Sequence, residues 1–335
     1  MPFLMGLLAV AAVACTRSVA DIPGDWPWVD PDADDLPWVE ISDSPYGALP
    51  DYIKIYHSPE VLRGRKAEAY IATADLSRAD VHVWGLNDPE LDGCDDALRT
   101  PTQIYNSNGS PALVMNGGFF YSDSGINYPA SLAVEGGKLL SPNINYASED
   151  WVTLYYPTKG AFIIHADGSV EAAWTYFADA DSHYIYQVPA ENGYGSTPLQ
   201  QPDASFPAAG AVFEARTAIG AGPVLLKGGK IRNTWRYECL PGDYDVNCAN
   251  PDPRTAIGCT ADGKLVLFVC EGRDMTEGVK GYSTGEVAEI LQQFGCTEAL
   301  NLDGGGSSCL LVNGFETIKP SDGNQRAVGS CIYVK

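Results

Sequence analysis

From about residue 53 onward, short apolar runs recur between turn signals at intervals too brief for helices. Val81-His82-Val83-Trp84, Ala112-Leu113-Val114-Met115, Ser131-Leu132-Ala133-Val134, Ala161-Phe162-Ile163-Ile164 and Pro223-Val224-Leu225-Leu226 have the length and composition of strands. Glu135-Gly136-Gly137-Lys138, Ala166-Asp167-Gly168-Ser169 and Lys227-Gly228-Gly229-Lys230 supply hairpin turns between them. Residues 175–210 lose this rhythm, and loop chemistry such as Asn192-Gly193-Tyr194-Gly195 predicts a long surface excursion there. One segment carries the helical period instead: Ser283 to Phe294 sets Val287, Ile290, Leu291 and Phe294 on one face. Ser283 and Glu286 fit a capping box at its start, and Gly295 stops it. Ala299-Leu300-Asn301-Leu302-Asp303 then reads as a strand ending on a carboxylate and glycines, a placement where sites gather. The fold class expected is α+β: one predominantly β domain over residues 53–335, with a helix packed on or between sheets.

The N-terminus has a different pattern. Residues 3–15 are an unbroken apolar run, too short to span a bilayer comfortably but suited to export, so residues 1–20 are expected to be a signal peptide or lipoprotein signal. Ala12-Val13-Ala14-Cys15 resembles a lipobox and would leave a lipid anchor at Cys15, the one membrane attachment expected; Ser18-Val19-Ala20 offers a cleavage site instead. Residues 21–52, rich in Pro, Asp and Trp, read as an acidic tether whose tryptophans dock on the domain or contact sugar. The location expected is extracytoplasmic, secreted or lipid-anchored.

Charge and cysteine content narrow the partners. A formal charge of -22 excludes a protein that grips a nucleic-acid backbone. Of nine cysteines, eight remain once Cys15 is set aside, and an even number in an exported chain predicts disulfides, with Cys239–Cys248 the expected local pair. The loop Asp243-Tyr244-Asp245-Val246-Asn247 between them alternates oxygen ligands but lacks the glycine and distal glutamate of a calcium loop. Four histidines and no Cys-x-x-Cys give zinc little support, so neither metal nor cofactor is expected.

The candidate chemistry centres on Asn301-Leu302-Asp303-Gly304-Gly305-Gly306-Ser307-Ser308. Three glycines after an aspartate let main-chain amides approach a ligand and form a nest for an anion, to which Ser307 and Ser308 add hydroxyls. Taken alone the segment is equally well a tight turn. It stands, however, in an ordered series: Asn116-Gly117-Gly118-Phe119-Phe120, Gly222-Pro223-Val224-Leu225, Pro253-Arg254-Thr255-Ala256-Ile257-Gly258, Glu271-Gly272-Arg273 and Glu286-Val287-Ala288. In that order, over roughly residues 65–335, the chain resembles the phosphodiester glycosidase family.

The resemblance implies hydrolysis of a sugar 1-phosphodiester of the N-acetylglucosamine type at the anomeric carbon. The sugar is released and a phosphomonoester is left. Positive charge then develops on the sugar ring, and Asp303 is the first candidate to stabilise or trap it. The leaving phosphate needs cationic donors more than protonation, and Arg254, Arg273 and Arg326 can hold its oxygens bidentately, or serve in structural salt bridges. Glu271 or Glu286 can act as general base; Glu271 stands where the family usually carries Asp, and Glu286 has a rival role as helix cap. Asn116 is expected to hold a sugar hydroxyl or orient a catalytic carboxylate, with Gly117 permitting close backbone approach; Asn301 is expected to bind ligand or lock the Asp303 turn, and Gly304, Gly305, Gly306, Ser307 and Ser308 to cradle the anion and sugar. Two alternatives remain open at this point: a non-catalytic surface module binding sugar or anionic polysaccharide, and an ordinary glycoside hydrolase acting on cell-surface polysaccharide.

Overall fold

The computed structural model describes residues 38–42, 45–88, 97–240 and 246–335. The proposed signal with Cys15, Cys94, and most of the Asp243–Asn247 loop therefore lie outside the described residues. Three antiparallel sheets make up the body. The first has eight strands, in the order Val39–Glu40, Ile53–His57, Ala69–Asp75, Lys264–Cys270, Arg254–Thr260, Cys296–Asn301, Val224–Lys227 and Lys230–Ile231. The second has seven: Lys138–Ser141, Ala133–Glu135, Thr217–Ala221, Lys159–Ile164, Val170–Asp179, Ser182–Tyr186 and Ala211–Val212. The third has five: Phe315–Glu316, Leu310–Val312, Leu113–Asn116, Ser330–Val334 and Val81–Gly85.

Strand alternation sends every second side chain to each face, and the three inner faces meet in one apolar core. Ile55, Ile257 and Leu267 come from the first sheet, Phe162, Trp174 and Ile219 from the second, Met115, Leu310 and Ile332 from the third. On the outer face of the first sheet, Val287, Ala288, Ile290 and Leu291 of the helix Thr284–Gln293 are buried with Leu225, Ala256, Phe268 and Cys270. That helix begins on the anticipated capping box, with Ser283 and Glu286 bonded reciprocally. Among the described residues no helix is long and apolar enough to cross a membrane.

The turns at 135–138, 166–169 and 227–230 join the strand pairs expected of them. The region 175–210 differs from its sequence reading. Strand character continues to Asp179 and resumes at Ser182–Tyr186, with Trp174 opposite Tyr186 and Tyr176 opposite Tyr184. Aromatic cross-strand pairs carry this hairpin, and its turn contains no glycine to mark it. A second, short helix at Pro101–Ser107 has its own capping box from Thr100 and Gln103. Near the tether's end, Val39–Glu40 pairs with Tyr56–His57, and Trp38 packs edge-on against Phe268 and Phe294.

The expected disulfide is a correction. Cys239 and Cys248 are free, as are the other described cysteines, and all are buried. Desolvation pushes the Cys239 and Cys248 thiols up to about 11 and about 12, so both stay protonated. Two further pairs among the described cysteines are set apart by the sheets. Cys259 faces the shared core while Cys296 faces the helix. Cys309 and Cys331 flank Asn116 on opposite sides, two strand spacings or about 10 Å apart, beyond the reach of a disulfide.

Candidate active site

Register places the site. Arg254 pairs with Cys270 and Ala256 with Asn301, so Glu271 and Asp303-Gly304, which follow their strands, and Pro253, which precedes its own, lie at the same end of the first sheet. Leu302 N–H bonds Thr255 O at 2.8 Å and Gly305 N–H bonds Pro253 O at 2.9 Å, extending the ladder into the glycine turn. The third sheet meets this edge through Asn116. Its amide donates to Asp303 O at 2.7 Å, and its oxygen accepts from Thr255 Oγ1 at 2.9 Å and Cys309 N at 3.0 Å. Gly117 O in turn accepts the Asp303 N–H at 3.0 Å. A Cβ at Gly117 would stand 2.6 Å from Ile219 Cδ1 and collide with Ser330 Oγ, so close packing of sheets demands the glycine. Asn116 thus locks the aspartate turn.

Asp303 begins a tight 3-10 turn over Gly305–Ser307. Its carboxyl is pushed up to about 6, chiefly by desolvation; hydrogen bonds from Ser307 and Gly304 and the charge of Arg326 act the other way. The nest of free amides expected here is not formed. Gly305 donates to Pro253 O, Ser307 to Gly304 O and Ser308 to Gly305 O, because a 3-10 turn directs its N–H groups to its own and neighbouring carbonyls. What the glycines admit is guanidinium. Gly305, at φ +58, would carry a Cβ 2.9 Å from Arg273 Nη2, and a Cβ at Gly306 would collide with Arg326 Nη2 and the Asp322 carboxylate.

Both arginines are held by carboxylates. Arg273 binds Asp252 through Nε at 2.7 Å and Nη2 at 3.2 Å; Arg326 binds Asp322 through Nε at 2.9 Å and Nη2 at 2.6 Å and reaches Ser307 Oγ at 3.4 Å. Each keeps a partly exposed side chain. Segment 319–326 stitches this corner together, since Lys319 N–H donates to Glu271 Oε1 at 2.9 Å and Ser321 Oγ meets Arg273 Nη1 at 3.4 Å. Three buried oxygens take no hydrogen bond from the protein: Glu271 Oε2, Asn301 Oδ1 and Ser308 Oγ. Such atoms are rare in folded proteins.

Two expected participants are engaged elsewhere. Arg254 shares its face of the strand with Ala256, beneath the helix, and donates to the carbonyls of Tyr282, Val246, Asn247 and Asn250. It is 1% exposed, a clamp on the loop rather than an open phosphate ligand. Glu286 bonds Ser283 N and Oγ at 2.8 Å through Oε2 and pairs with Arg65 through Oε1. Glu286→Gln is accordingly expected to leave kcat unchanged and to cost about 1–3 kcal/mol in denaturant titrations, because it removes the buried charge that Arg65 pairs with; a rate loss near a hundredfold would restore it as the base. Asn301 donates to Gly222 O at 2.9 Å and Leu302 O at 2.8 Å, fastening Gly222-Pro223 to the aspartate strand.

Sequence reasoning missed Asp252, Ser321 and Asp322. The only sign of Asp322 is its spacing four residues before Arg326 in a Pro-Ser-Asp-Gly turn. It also missed Glu238, a fully buried carboxylate that accepts from Gly160 N, Val224 N, Trp174 Nε1 and Thr234 Oγ1.

A carboxylate of raised pKa thus lies at the junction of antiparallel sheets, with two carboxylate-held arginines against the glycines that follow it. The chain belongs to the phosphodiester glycosidase family, whose model matches residues 110–335. Over 78 residues it is 41% identical to the N-acetylglucosamine-1-phosphodiester alpha-N-acetylglucosaminidase of Mus musculus, covering 23% of this chain and 14% of that one. Over 119 residues it is 35% identical to the SPbeta prophage-derived uncharacterized protein YomE of Bacillus subtilis (strain 168), covering 34% and 16%. The matched segments thus span about a sixth or less of these relatives. The catalytic domain of the zebrafish N-acetylglucosamine-1-phosphodiester alpha-N-acetylglucosaminidase, auto-inhibited by its pro-peptide, superposes with a TM-score of 0.59 at 20% identity, covering 89% of this chain and 88% of that one. A hypothetical protein from Synechocystis gives 0.56 at 19% identity, covering 90% and 64%. These two likenesses establish a shared, predominantly β fold.

Proposed function

We propose that the protein is a phosphodiester glycosidase that cleaves a sugar 1-phosphodiester at the anomeric carbon, releasing sugar and leaving a phosphomonoester. The observation that carries this reading is the desolvated Asp303 carboxyl, at about 6, held by Ser307 and facing the charge of Arg326. Ionised at neutral pH, it can stabilise or trap the cationic sugar as the C–O bond breaks. Arg326 and Arg273 hold the phosphate oxygens, their flat guanidinium groups matching phosphate as they now match Asp322 and Asp252. Glu271, buried with one unpartnered oxygen, delivers the water. N-acetylglucosamine is the sugar proposed, from the name of the mammalian relatives. Export through residues 1–20, with residues 21–52 as tether, belongs to the same proposal and places the substrate outside the cytoplasm.

The test is incubation with an N-acetylglucosamine 1-phosphodiester, following free sugar and phosphomonoester. They are expected in equal amounts, with kcat/KM rising with unit slope to a plateau above about pH 6, as Asp303 ionises. Binding without sugar release would overturn catalysis, and equal cleavage of a phosphate-free glycoside would overturn the role of phosphate. Arg326→Ala should raise KM for the diester by roughly 10- to 100-fold, the worth of a charge-assisted contact, with less effect on any phosphate-free glycoside.

A further inference from the structure

Hydrolysis of a phosphodiester at neutral pH makes a proton as well as two products. The diester carries one negative charge and the monoester nearly two, so water gives its oxygen and one hydrogen to the sugar and its other hydrogen leaves as a proton. In the proposed reaction Glu271 takes that hydrogen first. Glu271 is 2% exposed, and its Oε1 is occupied by the Lys319 N–H at 2.9 Å. A base so enclosed works repeatedly only if the proton has a way out.

The neighbouring strand supplies one. Ala69 pairs with Cys270 and Tyr70 with Val269, and one step further the Glu271 N–H donates to Glu68 O at 2.9 Å. Glu68 therefore stands opposite Glu271, and Tyr70 stands diagonal to it on the same face. The Tyr70 hydroxyl donates to Glu68 Oε1 at 2.8 Å, and His57 Nε2 lies 3.0 Å from the same oxygen. His57 sits opposite Tyr70 in the next strand, and the two rings stack 4.7 Å apart at 29°. Exposure rises along this line, to 26% at the Glu68 side chain and 36% at that of His57. Like charges directly opposite each other are unfavourable in a sheet, so folding alone gives no reason to face Glu68 with Glu271.

The surroundings suit each group to pass a proton on rather than keep it. Burial holds the Tyr70 hydroxyl above its ordinary value, followed by the hydrogen bond and charge of Glu68 and then the charges of Tyr46 and Glu271. Tyr46, 5% exposed, hydrogen-bonds the same hydroxyl. A phenol that stays neutral still relays, because its oxygen accepts one proton as its own is given up. Glu68 is held below its ordinary value, first by the hydrogen bond with His57; partial burial opposes this, and the Tyr70 hydroxyl and the charges of His57 and Lys319 reinforce it. It therefore releases a proton readily to the imidazole beside it.

We propose that Tyr70, Glu68 and His57 form an outlet through which the proton taken up by Glu271 reaches solvent without passing the product phosphate. This rests on Glu271 being the base of the reaction proposed above. The proton on Glu271 Oε2 passes to the Tyr70 oxygen as the Tyr70 proton passes to Glu68 Oε1. Glu68 hands a proton to the His57 imidazole, and a ring proton leaves to water. Both glutamates end as carboxylates and Tyr70 as a phenol, with one proton delivered to bulk. None of the three touches the reacting atoms; each acts through Glu271.

Two measurements test the outlet. The first is turnover of an N-acetylglucosamine 1-phosphodiester above about pH 7, where the monoester is left mostly dianionic, at low buffer concentration. Tyr70→Phe, which keeps the stacked ring, and His57→Phe should each lower kcat about tenfold with KM unchanged, and added imidazole should restore most of the loss. Unchanged kcat, or a loss that imidazole does not relieve, overturns the outlet. The second measurement needs no substrate. Acid released by a light flash lowers the pH, and the infrared carbonyl stretch of protonated Glu271, identified by its absence in Glu271→Gln, reports the arrival of the proton along the same path. Its rise should be about tenfold slower in Tyr70→Phe and His57→Phe than in wild type; equal rates overturn the outlet. If no diester is cleaved, the reaction proposed above fails by itself, and the infrared rates alone decide on the outlet.

Discussion

Replacing Asp303 by Asn is expected to stop turnover and, in the same molecule, to make the protein more stable at neutral pH. The first effect follows from its place as the carboxylate nearest the reacting centre in the proposed reaction, and a loss of about a thousandfold or more in kcat is expected. The second follows from linkage. The Asp303 carboxyl is raised from its ordinary value of 3.8 to about 6, so the folded state holds the proton more tightly than the unfolded chain. The stabilisation this confers is complete below the unfolded value and lost as pH rises through about 6. At pH 8 the ionised group costs about 2–3 kcal/mol, which an uncharged amide of the same shape does not incur. Melting temperatures of wild type and variant should therefore agree near pH 3.5 and separate by roughly 4–8 °C at pH 8, with Asn the higher. Unchanged turnover would remove Asp303 from the mechanism; equal stability at pH 8 would show that the carboxyl is not desolvated as described.

Arg254→Met should have the largest effect on stability. The side chain crosses a buried space to four main-chain carbonyls, three of them in the 246–250 loop and the fourth at Tyr282, just before the helix. Methionine fills much of the volume and satisfies none of them. Leaving buried acceptors unpaired costs about 1–3 kcal/mol for each one that cannot reach water, and a total of about 3–5 kcal/mol is expected. Chemical denaturation measures this, and limited proteolysis should show new cleavage between residues 246 and 252. At a temperature where the variant is folded, its KM for a diester should rise far less than that of Arg326→Ala. A large KM increase with undiminished stability would return Arg254 to the phosphate.

That contrast shows where sequence stops being legible. The ordered series of motifs was enough to collect Asn116, Asp303, Gly305 and Arg273, which the fold does bring together with Arg326. Alternation along Arg254-Thr255-Ala256 says that Arg254 and Thr255 point to opposite faces. It does not say which face meets the third sheet, and only the register with Asn116 settles that Thr255 does. Glu286 carried two readings in sequence, and its cap is local enough to read directly. Strands closed by Gly-Gly or Asp-Gly turns were visible for the same local reason. The Val170–Tyr186 hairpin was obscure because its Asp179-Ala180-Asp181 turn has no glycine and is closed by Asp179 Oδ1 accepting the Asp181 N–H at 3.0 Å. Division of the strands among three sheets depends on pairings such as Ala69–Asp75 with Lys264–Cys270, nearly 200 residues apart, which no local pattern encodes.

The two aspartates on the arginines have a kinetic meaning for an enzyme of this class. A phosphodiester carries one negative charge, whereas the monoester it leaves carries nearly two at neutral pH. Bare guanidinium groups would therefore favour product over substrate, and the site would silt up with its own leaving group. Asp252 and Asp322 compete for the same cations, and they are tethered, so their effective concentration does not fall as product accumulates. In the proposed reaction each departing phosphate would be met by an internal replacement already in place, a built-in counterion that favours clearance of product over tight retention.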